Sequence, residues 1–279
     1  MTCAAGNGVY FTQVLIIRNG WDFRLFLFRE ALMGRGEIMK LPHSIAPCPI
    51  VETIFEVRFG TSTPADAVFG LVYHALRAEM PKVELLAIGT LPPAMRQADA
   101  GMTYQPHHRL TGGPLTALIG PRVVALAWTG DYPGWEKFAD FVRNAFKKVE
   151  QAGLIDTTER LGLRYISLFP GDVLPKLALD LTLNGRPLMG RGTSVRTLLE
   201  RAGCQCLLHV GKDMALAGNP QKDGTIIDID AHLDACSGAP LPEVPSFLET
   251  AHFAEKELFF SLLRADFLST LSPVYDSAV

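Results

Sequence analysis

The chain has 279 residues, 48% of them apolar and 20% charged, with a formal net charge of −3. At roughly 150 residues per domain this is two domains or one large one. The composition excludes a wholly disordered chain, the bulk charge gives no broad nucleic-acid surface, and no apolar run reaches the roughly 20 residues that span a bilayer. Cysteine is too rare, at 5 residues, for a disulfide scaffold, and the number is odd. A reducing compartment follows. With no cationic start and no small-residue cleavage site near Val9 to Ile17, the expected location is the cytoplasm.

Residues 1–40 are basic against an acidic whole (Arg18, Arg24, Arg29, Arg35, Lys40) and are broken by Gly6, Gly8, Gly20, Gly34 and Gly36. A regular sequence opens at Met39. Residues 1–38 therefore read as a peripheral arm or as an extension ahead of the true start at Met39.

From Val51 to Phe59 the residues alternate. Val51, Thr53, Phe55, Val57 and Phe59 take one face of a strand, and Glu52, Ile54, Glu56 and Arg58 the other. Thr63, Pro64 and Asp66 read as a helix start, with Thr63 as cap. Val68, Leu71, Val72, Ala75 and Leu76 form the apolar stripe of that helix, which Pro81 closes. Strands are expected at Val83–Ile88, Tyr104–Leu110, Leu115–Ile119 and Val123–Trp128, the last two joined by a tight turn at Gly120-Pro121-Arg122.

A helix from Pro133 to about Ala152 carries a stripe of Phe138, Phe141, Val142, Ala145, Phe146 and Val149, with Gly153 as its C-terminal cap. Gly162–Phe169 reads as strand. The second half has a hairpin signal at Asn184-Gly185 and a short helix or strand at Val195–Arg201. Strands follow at Cys204–Val210, Met214–Ala217 and Thr225–Leu233, with Gly211-Lys212-Asp213 as a turn. A long helix closes the chain, opened by Ser246 and Glu249 as a capping box. Its core face holds Phe247, Ala251, Ala254, Leu258, Phe259 and Leu262, and a last turn starts at Ala265-Asp266.

Helices are too few and hairpins too many for a doubly wound parallel sheet. The expectation is an α+β fold, mainly antiparallel sheets with packed helices. The halves 39–172 and 173–279 each place helices beside antiparallel strands, which leaves open two related half-domains.

Asp228, Asp230, His232 and Asp234 fall at alternate positions and share one face of a strand. Carboxylates and an imidazole suit Mg²⁺ or Mn²⁺. Same-face neighbours on a regular strand stand about 7 Å apart, too far for four ligands on one ion without a bulge. A wet strand face is the plainer reading. Cys204, Cys206, His209 and Cys236 hold zinc-ligand chemistry, but on a strand His209 faces away from the two cysteines. His107 and His108 lack a nearby nucleophile motif. The loop Met189-Gly190-Arg191-Gly192-Thr193-Ser194 lacks the lysine and length of a phosphate loop and could hold an anion only at a helix start. Arg143, Lys147, Lys148, Arg160 and Arg164 give a modest basic region without interleaved stacking aromatics.

The segment Pro49-Ile50-Val51-Glu52-Thr53-Ile54-Phe55-Glu56-Val57-Arg58-Phe59 resembles the opening of a sporadically distributed bacterial family of about 260 residues, which has no assigned biochemical function. Leu161-Gly162-Leu163-Arg164-Tyr165-Ile166, Ile227-Asp228-Ile229-Asp230, and His252 with Glu257-Leu258-Phe259 on the closing helix are similar too. The resemblance runs from Lys40 to the C-terminus and implies no catalytic residues.

The functional expectation is a non-enzymatic binding or accessory protein with a macromolecular partner, a protein in the first place, and with no cofactor motif and no membrane segment. The alternatives are a divalent-metal-assisted hydrolase or nuclease-like enzyme using the 228–234 strand, and a nucleic-acid-binding module.

Overall fold

The computed structural model describes residues 41–188, 190, 192–212, 224–235 and 241–275. The basic arm with Met39, the strand expected at 214–217, and Cys236 lie outside them. The described chain runs β1 (Ile50–Gly60), α1 (Ala65–Leu76), β2 (Lys82–Leu85), α2 (Pro93–Ala98), β3 (His108–Gly112), β4 (Leu115–Gly120), β5 (Val123–Thr129) and α3 (Trp135–Gln151). It continues with β6 (Thr157–Pro170), β7 (Thr182–Leu183), β8 (Arg186–Pro187), β9 (Ser194–Arg201), β10 (Cys204–Lys212), β11 (Gly224–Asp234), α4 (Val244–Leu262) and α5 (Ala265–Thr270).

Nine of the strands form one antiparallel sheet in the order β2-β3-β4-β5-β1-β6-β11-β10-β9. The fold is α+β. The order contains the same pattern twice. An opening strand (β1, then β6) is flanked by the last strand of the meander that follows it (β5, then β11), and a helix comes next (α3, then α4). This repeat divides between α3 and β6, and the sheet runs across the division through the β1–β6 ladder. A helix follows the first opening strand. The second is followed instead by a short 3-10 turn and the β7–β8 hairpin, turned by Asn184 and Gly185 with φ of 50° and 73°.

Because side chains alternate along a strand, one register row shows what each face does. The row Val83, Leu110, Ala117, Leu126, Phe55, Leu163, Ala231, Cys206, Leu199 crosses all nine strands and is apolar throughout. Its seven inner members are buried. Helices cover this face. Phe55 lies edge-on to Phe146 of α3 at 5.6 Å and tilted to Phe247 of α4 at 6.4 Å. The turn after α1 comes so close that a Cβ on Gly112 would sit 1.8 Å from the Glu79 carbonyl oxygen, so glycine is required there. No described helix is long and apolar enough to cross a membrane.

Several local expectations change. Thr63 does not cap α1. Pro64 holds the cap position with no side-chain hydrogen bond, and the Thr63 amide donates to Thr61 Oγ1 instead. Only Val68, Val72 and Leu76 of the α1 stripe are buried, and the helix ends at Leu76 rather than near Pro81. The strand expected to Ile88 stops at Leu85 and turns into a 3-10 helix. Val195–Arg201 is strand, paired along its length with β10, so tertiary pairing decides a segment whose local signal was ambiguous. Gly211 and Lys212 extend β10 instead of turning. The closing helix starts at Val244 behind Glu243, with Pro245 in its first turn, and no Ser246–Glu249 box forms.

Candidate functional site

The face opposite the helices carries the acidic strand, and its carboxylates are occupied. Arg164 of β6 forks onto Asp228 through Nε and Nη2 at 2.7 and 2.6 Å. Arg160 reaches Glu56 at 2.8 Å, Asp230 at 2.7 Å and Asp234 at 3.6 Å. The Arg160 guanidinium lies over Gly162, where a Cβ would come within 2.5 Å of Nη1. Glycine in mid-strand thus makes room for the ion-pair network. His232 Nδ1 stands 3.1 Å from the Asp230 carbonyl oxygen. Among the described residues no group of three or more His, Cys, Asp or Glu side chains is placed to hold a metal ion.

This corrects the picture of aspartates that need no partner. Asp228 is 8% exposed and Arg160 likewise. Losing one member of a bidentate, partly buried pair leaves the other charge unsatisfied. Asp228→Asn is expected to cost about 1–3 kcal/mol in chemical denaturation. An unchanged midpoint would return Asp228 to the solvated reading.

The other sequence candidates disperse. Cys204 and Cys206 are buried on the helix side, where burial pushes the Cys206 thiol up to about 12. His209 lies on the other face, its Nε2 2.8 Å from Ser194 Oγ. His108 stacks on Phe69 of α1 with centroids 3.9 Å apart, and burial pushes both His107 and His108 down. Ser194 opens a strand, so the glycine loop before it has no helix N-terminus to offer an anion. The basic region is not one patch. Arg143 pairs with Asp140 and Glu249, Lys148 with Glu79, while Arg160 and Arg164 sit on the open sheet face.

The structure instead forms a cavity of about 610 Å³ on the helix side. Its walls come from four places: the entering segment 43–50, the turn Tyr132-Pro133-Gly134 with the first turn of α3, Tyr165 and Ser167 of β6, and one face of α4. The entering segment is tied down by the C-terminal stretch. The His43 amide donates to the Val274 carbonyl at 2.6 Å, and Ala46 to Leu271 at 2.8 Å.

On α4, His252, Glu255, Lys256 and Phe259 recur at helical spacing and so meet the cavity together. His252 stacks on Trp135, centroids 3.9 Å apart and planes within 6°. Its Nδ1 is 3.2 Å from Tyr165 Oη, which is 3.4 Å from Tyr132 Oη. Burial pushes His252 down to about 4, with Lys256 adding to the effect, so the imidazole is neutral at pH 7. Burial raises both tyrosines above their ordinary range, and both keep their protons.

Glu255 is 6% exposed and has no hydrogen bond or ion pair among the described residues. Burial pushes its carboxyl up to about 8, against a smaller pull from Lys256. The Ser167 hydroxyl, also on the wall, has no hydrogen-bond partner among the described residues.

None of these cavity residues was singled out as a site residue from the sequence. His252 entered only as part of a resemblance. One signal was available: Glu255 lies four residues after Ala251 and four before Phe259, on the buried stripe of α4, where a carboxylate is out of place. Tyr132 and Trp135 lie at a loop–helix junction and carry no such pattern. No protein-family model matches the chain, and no curated protein matches it.

Proposed function

We propose that the protein is a cytoplasmic, non-enzymatic binding protein that takes a small molecule into the cavity beside α4 and acts as an accessory to a protein partner. The observation that carries this reading is the cavity itself. At about 610 Å³ it falls within the range of small-molecule sites, and it combines aromatic walls with polar groups, of which Tyr132, Tyr165 and His252 converge. The resemblance to a bacterial family without assigned activity is consistent with it.

The enzyme alternatives have weaker support. The carboxylates of the 228–234 strand are held by Arg160 and Arg164. In the cavity, His252 is pushed away from the range of a general base at neutral pH, and burial pushes the Cys48 thiol up rather than activating it. The nucleic-acid reading loses its basic region for the reason given above.

Trp135 forms part of the cavity wall and is a built-in reporter. Titration with a panel of aromatic and aliphatic fragments is expected to give at least one saturable change in tryptophan emission, absent in Trp135→Phe, with the fragment recovered chemically unchanged. Fragments that bind equally to a variant with the cavity filled by Ser167→Phe, shown folded by circular dichroism, would place binding elsewhere and end this reading. Chemical conversion of a bound fragment would favour the enzyme alternative.

A further inference from the structure

We propose that the cavity is a site for an organic cation, a protonated amine on an aromatic or aliphatic body, with the Glu255 carboxylate as its counter-ion. This deepens the small-molecule reading and rests on it.

Two polar groups on the cavity wall favour a donor-rich ligand. Among the described residues Glu255 has no hydrogen bond or ion pair, and the Ser167 hydroxyl offers a further acceptor. A buried carboxyl without a hydrogen bond is destabilising, and a ligand that supplies N–H donors and positive charge relieves both defects together. Trp135, Tyr132, Tyr165, Phe259 and Phe260 line the same space. Aromatic faces attract ammonium groups, so the apolar wall and the carboxyl select the same ligand.

The charges around Glu255 come from every element packed there. On its own helix are Lys256 and His252. Tyr165 of β6 and Cys206 of β10 lie behind it. Tyr132, Glu136 and Lys137 stand across the cavity at the start of α3, and His43 and Cys48 on the entering segment. Lys256 is the closest cation by sequence, yet it makes no ion pair with Glu255 within 4.0 Å. Lys137 places its ammonium over the Trp128 ring, 5.2 Å from the centroid. His252 is neutral and brings no positive charge to Glu255.

A carboxylate ligand is the competing occupant, because Lys137 and Lys256 also line the cavity. The test therefore uses three probes of matched size: phenethylamine, 2-phenylethanol and 3-phenylpropionate, titrated calorimetrically into the full chain at several pH values. The amine is expected to bind at least tenfold more tightly than either analogue. Because Glu255 is largely protonated in the free protein at neutral pH, amine binding ionises it and releases close to one proton per site. Amine affinity then rises about tenfold per pH unit from pH 6 to 8 and levels off above.

Glu255→Gln retains the shape and neutral charge of the free state. It is expected to fold, to lose the tenfold preference, and to lose the pH slope. Binding of the alcohol or the carboxylate as tight as the amine would overturn the cation assignment while leaving the small-molecule reading intact. Binding of none of the three up to millimolar concentration would overturn the cation assignment and count against the cavity as a ligand site. An amine preference that survives in Glu255→Gln would also overturn it.

Discussion

Glu255→Gln is expected to stabilise the protein at pH 8 and to leave it nearly unchanged below pH 4.5. Burial raises the Glu255 carboxyl in the folded chain from an ordinary 4.5 to about 8. Below pH 4.5 the carboxyl is protonated in both folded and unfolded chains, and the neutral burial costs the same in each variant. Between pH 4.5 and 8 the unfolded chain ionises while the folded chain holds its proton, so the unfolded state binds fewer protons and stability falls as pH rises. At about 1.4 kcal/mol per unit, the full effect above pH 8 is about 4–5 kcal/mol. A side chain that never ionises does not lose it.

His252 has the opposite sign. Its folded value is lowered to about 4 from 6.5, so its contribution is present above pH 6.5 and is lost as pH falls towards 4. The two slopes oppose each other between pH 4.5 and 6.5, and Glu255 acts alone from 6.5 to 8. Urea denaturation of the parent should therefore show a shallow optimum near pH 5 to 6.5 and a fall towards pH 8. The fall disappears in Glu255→Gln. Superimposable curves for the two proteins from pH 6.5 to 8.5 would mean that Glu255 is hydrated or paired in solution.

This position also shows where the sequence was readable. Strands with strict alternation announced themselves. Val51 to Phe59 and Thr225 to Leu233 are strands with the expected faces inward, because burial of one face enforces a period of two residues. The stripe of α3 and the glycine after it, Gly153 with φ of 67°, were equally legible. Helix starts were not. Thr63 and Ser246 carry cap chemistry, but prolines nearby fix the first turn, and neither side chain is used. The acidic strand could be placed on the open face from its spacing alone. Its arginine partners could not, because Arg160 and Arg164 come from β6, more than sixty residues away, and only the β6–β11 register brings them there. The cavity is harder still. It assembles His43 to Ile50, Tyr132 to Lys137, two residues of β6 and a face of α4. Short-range pattern carries none of that convergence, except for the misplaced carboxylate of Glu255.

The second large effect is expected at the middle of the sheet. Phe55 is fully buried in β1, at the point where the two topological halves meet. Its row neighbours are Leu126 on β5 and Leu163 on β6, and its ring is held by Phe146 from α3 and Phe247 from α4. Truncation to alanine therefore removes contacts to two strands and two helices at once. These neighbours belong to elements anchored elsewhere, so the space cannot close by a small shift of any one of them. Phe55→Ala is expected to lower unfolding free energy by about 3–5 kcal/mol, the range for a fully buried phenylalanine. Ile54, the residue before it, faces the open side and is only half-buried. Ile54→Ala should cost roughly half as much or less. The exposed Leu198 on edge strand β9 gives the baseline, and Leu198→Ser should stay within about 0.5 kcal/mol. Equal losses for Phe55→Ala and Ile54→Ala would reverse the assignment of faces, and with it the side of the sheet on which the helices and the cavity lie.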